Sequence, residues 1–294
     1  FEDLVDRGRQ NLDALLAWGV TTCEGKSGYA LTTKGEIRLL EVLQVLDACH
    51  PVDVIPTLLG AHTLPKELAE VREDYISEVA EQMIPLAAER GLARFCDAYC
   101  EEGAFSVGEV ERIFTAAQAH GLGLRLHAEQ FTHQGGAELA GRLGAASADH
   151  LEAISSEGIA ALAAGNTTAV LLPGAAMTCR VPWPPAGALN EAGVPIALGT
   201  DLNPGSSMTA NLPLMMSLAC MQLGMSCEQT WRAVTIEAAR SLCLDGVGRV
   251  APGYAADLVI FDARDYRMVP YHYGENLARV VIKGGSVVVD REDR

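Results

Sequence analysis

LGLRLHAEQ (residues 122–130) and ASADHLE (146–152) decide the fold: each is a short, largely apolar run that ends in polar residues capable of chemistry. The same pattern recurs in GVTTCEGKSGY (19–29), VDVIPTLLGAH (52–62), ARFCDAYCEE (93–102), TTAVLLPG (167–174) and VPIALGTDLNPGSS (194–207). Amphipathic helical text fills the intervals, as a parallel sheet requires, because parallel strands are joined by crossovers long enough to hold a helix. These runs predict an α/β fold, a (β/α)8 TIM barrel that lacks its first strand. A doubly wound open sheet is the rival. The barrel is favoured by where the polar residues fall. Glu24, His62, Glu101, His127, His150 and Asp201 stand at or just beyond strand carboxyl ends, which a barrel gathers into one mouth.

Beyond Asp201, helical text covers 212–223 and 227–242. GRVAPGYAADLVIFDA and ARVVIKGGSVVVD then read as a small antiparallel β-unit with no helix between them. The expected division is a barrel over 1–245 and a β-sandwich portion over 246–294.

The formal charge of −16 argues against nucleic acid, whose binding needs Lys and Arg to neutralise phosphates. Eight scattered cysteines are expected to be reduced core residues of a cytoplasmic protein. No apolar run approaches the ~20 residues that span a bilayer, so no membrane partner is expected. The text opens at Phe1 on a helix, which suggests a chain that begins downstream of its natural start.

His127 and His150 occupy equivalent places on successive strands, and imidazole is the commonest protein metal ligand. Asp201 ends an apolar strand just before an Asn-Pro-Gly-Ser-Ser loop. Such an Asp also suits the capping of a turn, but with the two histidines it suits a hydrolase that activates water with a metal ion.

Together these residues resemble the amidohydrolase superfamily, as does the run Gly253–Val259, which fits a G-x-x-A-D-L-V signature. VTTCEGKSGYALT, PTLLGAH, FCDAYCEEGAFS, LHAEQ, SADHLE, LLPGA and TDLNPGSS resemble, in order, the imidazolonepropionase family. That resemblance implies hydrolysis of 4-imidazolone-5-propanoate to N-formimidoyl-L-glutamate in histidine degradation, with one zinc or iron ion per subunit. It makes His127 and Asp201 metal ligands, Asp201 and His150 catalytic, and Gln130 a catalytic or substrate-contact residue. Tyr29, His62, Asn203, Gly205 and Ser206 would also contact substrate, and a homodimer is expected.

Two departures stand out. The family's His-x-His pair on the first strand, and a nearby substrate-binding Arg, have no counterpart here. None of His50, His62, His120, His127, His133, His150 and His272 stands two residues from another. Gln130 stands where some members carry Glu, and an amide cannot act as a base. Glu129 is expected on the opposite side of the strand. No Lys ends LGLRLHAEQ or ARFCDAYCEE, which favours a mononuclear site over one bridged by a carboxylated lysine. The alternatives are another amidohydrolase, either a deaminase of nucleobase-like rings or a cyclic amidase, and a catalytically incompetent fragment.

Overall fold

A computed structural model describes residues 1–65 and 71–291. Its main sheet has seven parallel strands in sequence order: β1 (Thr22–Lys26), β2 (Asp53–Ala61), β3 (Phe95–Cys100), β4 (Gly123–Ala128), β5 (Ser147–His150), β6 (Thr168–Leu171) and β7 (Ile196–Leu198). Each coincides with one of the seven runs read from the sequence. The sheet curls, with β1 and β7 as its two edges. Helices cover the outside, including Thr33–Cys49 after β1, Val107–Ala119 after β3, Gly136–Leu143 after β4 and Ser156–Gly165 after β5.

These helices begin where side chains take up their unpaired amides. Thr32 Oγ1 accepts from Gly35 N, Ser155 Oγ from Gly158 N, and Ser106 forms a reciprocal capping box with Glu109. Their apolar faces meet the strands in one core that includes Leu40, Leu58, Met83, Ile113, Phe114, Leu126 and Leu162. At two points between the helices behind β4 and β5 there is no room for a side chain. A Cβ on Gly141 would stand 2.2 Å from the Ala161 carbonyl oxygen, and one on Gly165 would stand 2.2 Å from that of Gly141.

The C-terminal unit is a three-stranded antiparallel sheet of β8 (Leu258–Phe261), β9 (Ala278–Lys283) and β10 (Ser286–Asp290), in the order β10-β9-β8. It packs on the first helix, Glu2–Ala17, where Val281 shares a core with Val5, Leu12, Leu16 and Val54. Lys283 Nζ ties β9 to β2 by bonding both Asp257 and Asp53.

Four expectations need correction. The helix expected over 227–242 is two, Cys227–Ala233 and Ile236–Ser241. Thr235 breaks it at φ −127° and ψ −90°, its hydroxyl bonded to the Trp231 carbonyl. A short helix, Met268–Tyr271, does lie between β8 and β9, with the Asp265 carboxylate accepting the Arg267 amide at its start. All eight cysteines are free, but only Cys96 and Cys100 are buried; Cys49 and Cys243 are exposed. Glu24 is not at a strand end but mid-strand in β1, facing the barrel interior.

Candidate active site

Strand register puts side chains two residues apart on the same face, and the inner face here is charged. Lys26 of β1 reaches across the interior to Asp97 of β3 (2.5 Å), Asp149 of β5 (3.2 Å) and its neighbour Glu24 (3.1 Å). Arg125 of β4 sits below it, 2.8 Å from Glu24 and 3.5 Å from Asp149, with its guanidinium also donating to the Ser241 carbonyl. Thr57 and Ser147 hydroxyls bond Glu24 and Asp149. Burial pushes the Lys26 pKa down, but the three carboxylates together push it further up, so the ammonium stays charged. Asp97 is held well below the usual carboxylate range against its burial by His127 and Lys26.

On this floor stand the mouth residues. His127 Nδ1 lies 3.0 Å from Asp97 Oδ2, which pairs the imidazole with the buried carboxylate. Burial lowers the His127 pKa, and Asp97 raises it by more. The His127 and His150 rings are 5.4 Å apart, and His62 and Tyr99 lie 6.5 and 6.0 Å from His127. Tyr29 meets His62 edge-on at 5.3 Å and is exposed at the rim. His62 Nδ1 is 2.8 Å from the Gly28 carbonyl, so that nitrogen carries the proton and Nε2 is left as an acceptor. Tyr99 donates to Gln130 Oε1 at 2.9 Å, which leaves the Gln130 amide NH2 as a donor.

Backbone strain gathers at the same place. Among the described non-glycine residues with positive φ are Glu129 (57°), His150 (80°), Leu151 (72°) and Asp201 (49°), all at or just past strand carboxyl ends. Glu129 is turned away from the mouth although it stands two residues after His127, because its positive φ takes it off the alternation of the strand. Its Oε1 accepts from Gly135 N at 3.1 Å at the start of the helix that follows, and lies 3.1 Å from His133 Nδ1.

The loop after β7 closes on itself. Asn203 donates to the Asp201 carbonyl (2.7 Å) and to Ser206 Oγ (3.0 Å), while its Oδ1 accepts from Gly205 N (2.8 Å) and Ser206 N (2.9 Å). Ser206 Oγ also reaches Asp201 Oδ2 at 3.2 Å. The Asn203, Gly205 and Ser206 donors expected to contact substrate are thus engaged in holding Asp201 and the turn. Burial lifts the Asp201 pKa, while His127 and Ser206 pull it back.

The sequence reading left out Tyr99, Lys26, Asp97, Asp149, Arg125 and Glu152. Glu152 is buried with neither carboxyl oxygen hydrogen-bonded. Burial, then Asp201 and Glu101, push its pKa up to about 8. Beside it, burial and then His127 push His150 down to about 3, so that imidazole is neutral.

Two groups of side chains could be weighed as a metal site. Asp97, His127 and Asp149 bring ligand atoms within 4.8 Å of one another, but the Lys26 ammonium already bridges both carboxylates. A cation there would have to displace a cation. The better fit lies above, where Asp97 at Nδ1 leaves His127 Nε2 free to ligate, the carboxylate–histidine arrangement that orients metal-binding imidazoles. Asp201, with its carboxylate at the mouth, adds a second donor of the kind zinc and iron accept, two of the three protein ligands that a hydrolytic zinc site uses.

Comparison with known proteins agrees with this geometry. The amidohydrolase family profile matches residues 2–289. The imidazolonepropionase of Geobacillus thermodenitrificans is 47% identical over 290 residues, 98% of this chain and 68% of the relative. Those of Rubrobacter xylanophilus (47%, 97% and 68%) and Myxococcus xanthus (44%, 99% and 69%) are similar to the same extent. The chain thus spans about two thirds of the length of the relatives it matches. Among solved structures, a zinc-bound adenosine deaminase from Xanthomonas campestris superposes with a TM-score of 0.77 at 19% identity, covering 98% of this chain and 70% of that one. A zinc-complexed atrazine chlorohydrolase from Arthrobacter aurescens gives 0.74 at 17%, over 98% and 72%. At such identities these two speak for the fold alone.

Proposed function

This chain belongs to the amidohydrolase family and, within it, to the imidazolonepropionases, and from that membership we propose how its residues divide the work. It is a metal-dependent hydrolase that opens the cyclic amide of 4-imidazolone-5-propanoate to N-formimidoyl-L-glutamate, a step of histidine degradation. The observation that carries the reading is the meeting of His127, His150, His62, Tyr29 and Tyr99 around one barrel mouth in a chain 47% identical to such enzymes.

In our reading one zinc or iron ion is held by His127 and Asp201. When bound, the ion would make a water nucleophilic at neutral pH. Asp201, its affinity for protons raised by burial, takes the proton of the attacking water and delivers it to the leaving ring nitrogen. His150, neutral, donates a hydrogen bond where negative charge develops on oxygen. His62 Nε2, an acceptor, suits a ring N–H, and the Gln130 NH2 suits a carbonyl or carboxylate oxygen. Tyr29, exposed at the rim, reaches the propionate. Asn203, Gly205 and Ser206 shape the far wall and join substrate only if the turn they form opens.

No helix among the described residues is long and apolar enough to cross a membrane. A cytoplasmic homodimer without nucleic-acid or membrane partners, and the division of the chain at residue 246, belong to the same proposal. The test is loss of the substrate's ultraviolet absorbance with the full-length protein beside Asp201→Asn. Loss of about 10²–10⁴ in rate in the variant is expected from removing a positioned acid–base group. An intact, metal-loaded protein that leaves the substrate untouched would overturn the assignment.

A further inference from the structure

Three buried polar atoms in the mouth face one another without a partner: His150 Nδ1 and the two carboxyl oxygens of Glu152. Their side chains are 3% and 1% exposed, and Nδ1 stands 3.9 Å from Glu152 Oε2. A native fold rarely leaves such atoms unpaired, because each gives up its hydration with nothing in return. The gap exceeds an ordinary hydrogen bond by about 1 Å, and the Glu152 side chain has to turn toward the ring to close it. No cation is paired with Glu152 among the described residues, and both its carboxyl oxygens are shut away from solvent. A carboxyl so placed keeps its proton and can donate it, and a neutral imidazole offers one bare nitrogen to receive it.

We propose that Glu152 is the positioning residue of His150: its carboxyl O–H holds Nδ1, which fixes the Nε2–H tautomer and turns that N–H toward the reacting ring. A neutral imidazole has two tautomers, and only the one whose N–H faces the developing charge can stabilise it. The turn that carries both residues is shaped for this. His150 and Leu151 adopt φ of 80° and 72°, and Leu151 N and Ala153 N are anchored on the Ala128 and Glu129 carbonyls, so His150 and Glu152 fall on one side.

The turnover arm of the test rests on the proposed function; the spectroscopic arm does not. In zinc-loaded, full-length protein carrying ¹⁵N-histidine, nuclear magnetic resonance should find His150 as a single Nε2–H tautomer with a hydrogen-bonded, unprotonated Nδ1. Glu152→Leu should release it to a mixture. An Nδ1–H tautomer in the parent protein, or an unchanged spectrum in the variant, overturns the proposal. In the kinetic arm Glu152→Leu lowers kcat by about 10–100-fold, the usual loss when an orienting partner is removed, with KM within about two-fold. Glu152→Gln, whose amide N–H can still donate to Nδ1, recovers most of the rate. A raised KM with kcat intact would mean that the carboxyl touches substrate instead, and a Gln variant as slow as the Leu variant would remove the hydrogen-bond argument. Should the Leu variant not fold, the parent spectrum alone decides. A parent protein inert toward 4-imidazolone-5-propanoate overturns the substrate, not the tautomer.

Discussion

Replacing Lys26 by Met keeps the length of the side chain and removes the charge that three carboxylates share. Asp97 and Asp149 have side chains 0% and 4% exposed, so neither can turn to water for compensation. At an effective dielectric constant of ~20 a unit pair at the Lys26–Asp97 distance attracts by about 7 kcal/mol, most of which the desolvation of both ions offsets. What the substitution exposes is the uncompensated remainder, and breaking a buried pair by deleting one partner costs about 3–5 kcal/mol. A second effect follows on the site. Freed from Lys26, Asp97 has only His127 as a cationic partner at 3.0 Å, so it favours the protonated imidazole and competes with metal binding. The expected result is a denaturation midpoint shifted down by the equivalent of about 3–5 kcal/mol and a metal affinity weakened by about 10–100-fold, read by equilibrium unfolding and by metal content after dialysis. A Lys26→Met protein within about 0.5 kcal/mol of the parent that keeps its metal would refute the view of Lys26 as the keystone of the interior.

Gln130→Glu keeps the acceptor that Tyr99 bonds and adds a titratable group to the mouth, so the pH–rate profile should gain a second acidic ionisation beside that of Asp201; an unchanged profile would place residue 130 outside the chemistry. Glu152 has a folded pKa of about 8 against an ordinary 4.5, so the native state holds a proton there that the unfolded chain has released. Its contribution is present in full below pH ~4.5 and is lost as pH rises through about 8, so Glu152→Gln should flatten the fall in stability across that window, measured by denaturant unfolding at several pH values. An equal slope in parent and variant would show that Glu152 is not held protonated.

The strands were legible because each is a short apolar run closed by polar residues, and His62, His127, His150 and Asp201 were legible because they stand at those ends. The charged interior was not read, although its signal lies in the same text. Glu24 and Lys26, Asp97 and Tyr99, Arg125 and His127, and Ser147 and Asp149 each stand two residues apart, the spacing that puts both on one face of a strand. Charges on a strand's hidden face ordinarily count against burial, and only the partner strands show that each charge is paired. Glu152 was missed because its burial depends on the left-handed turn at His150 and Leu151, a conformation that no residue type there announces. Gly141 gave a weak signal, since helix-interior glycine is costly without saying what it makes room for, and Gly165, as the last residue of its helix, reads as an ordinary helix end.

Those two glycines have a consequence for how the enzyme can change. The spacing of the helices behind β4 and β5 is gauged peptide against peptide at these two points, where no side chain intervenes to swing to another rotamer. These helices are the backing of the strands that carry His127 and His150. A methyl group at either position would wedge the pair apart and move one imidazole relative to the other. A selection for activity from a random library should therefore treat positions 141 and 165 as strictly as the histidines themselves, although neither glycine offers an atom to the reaction.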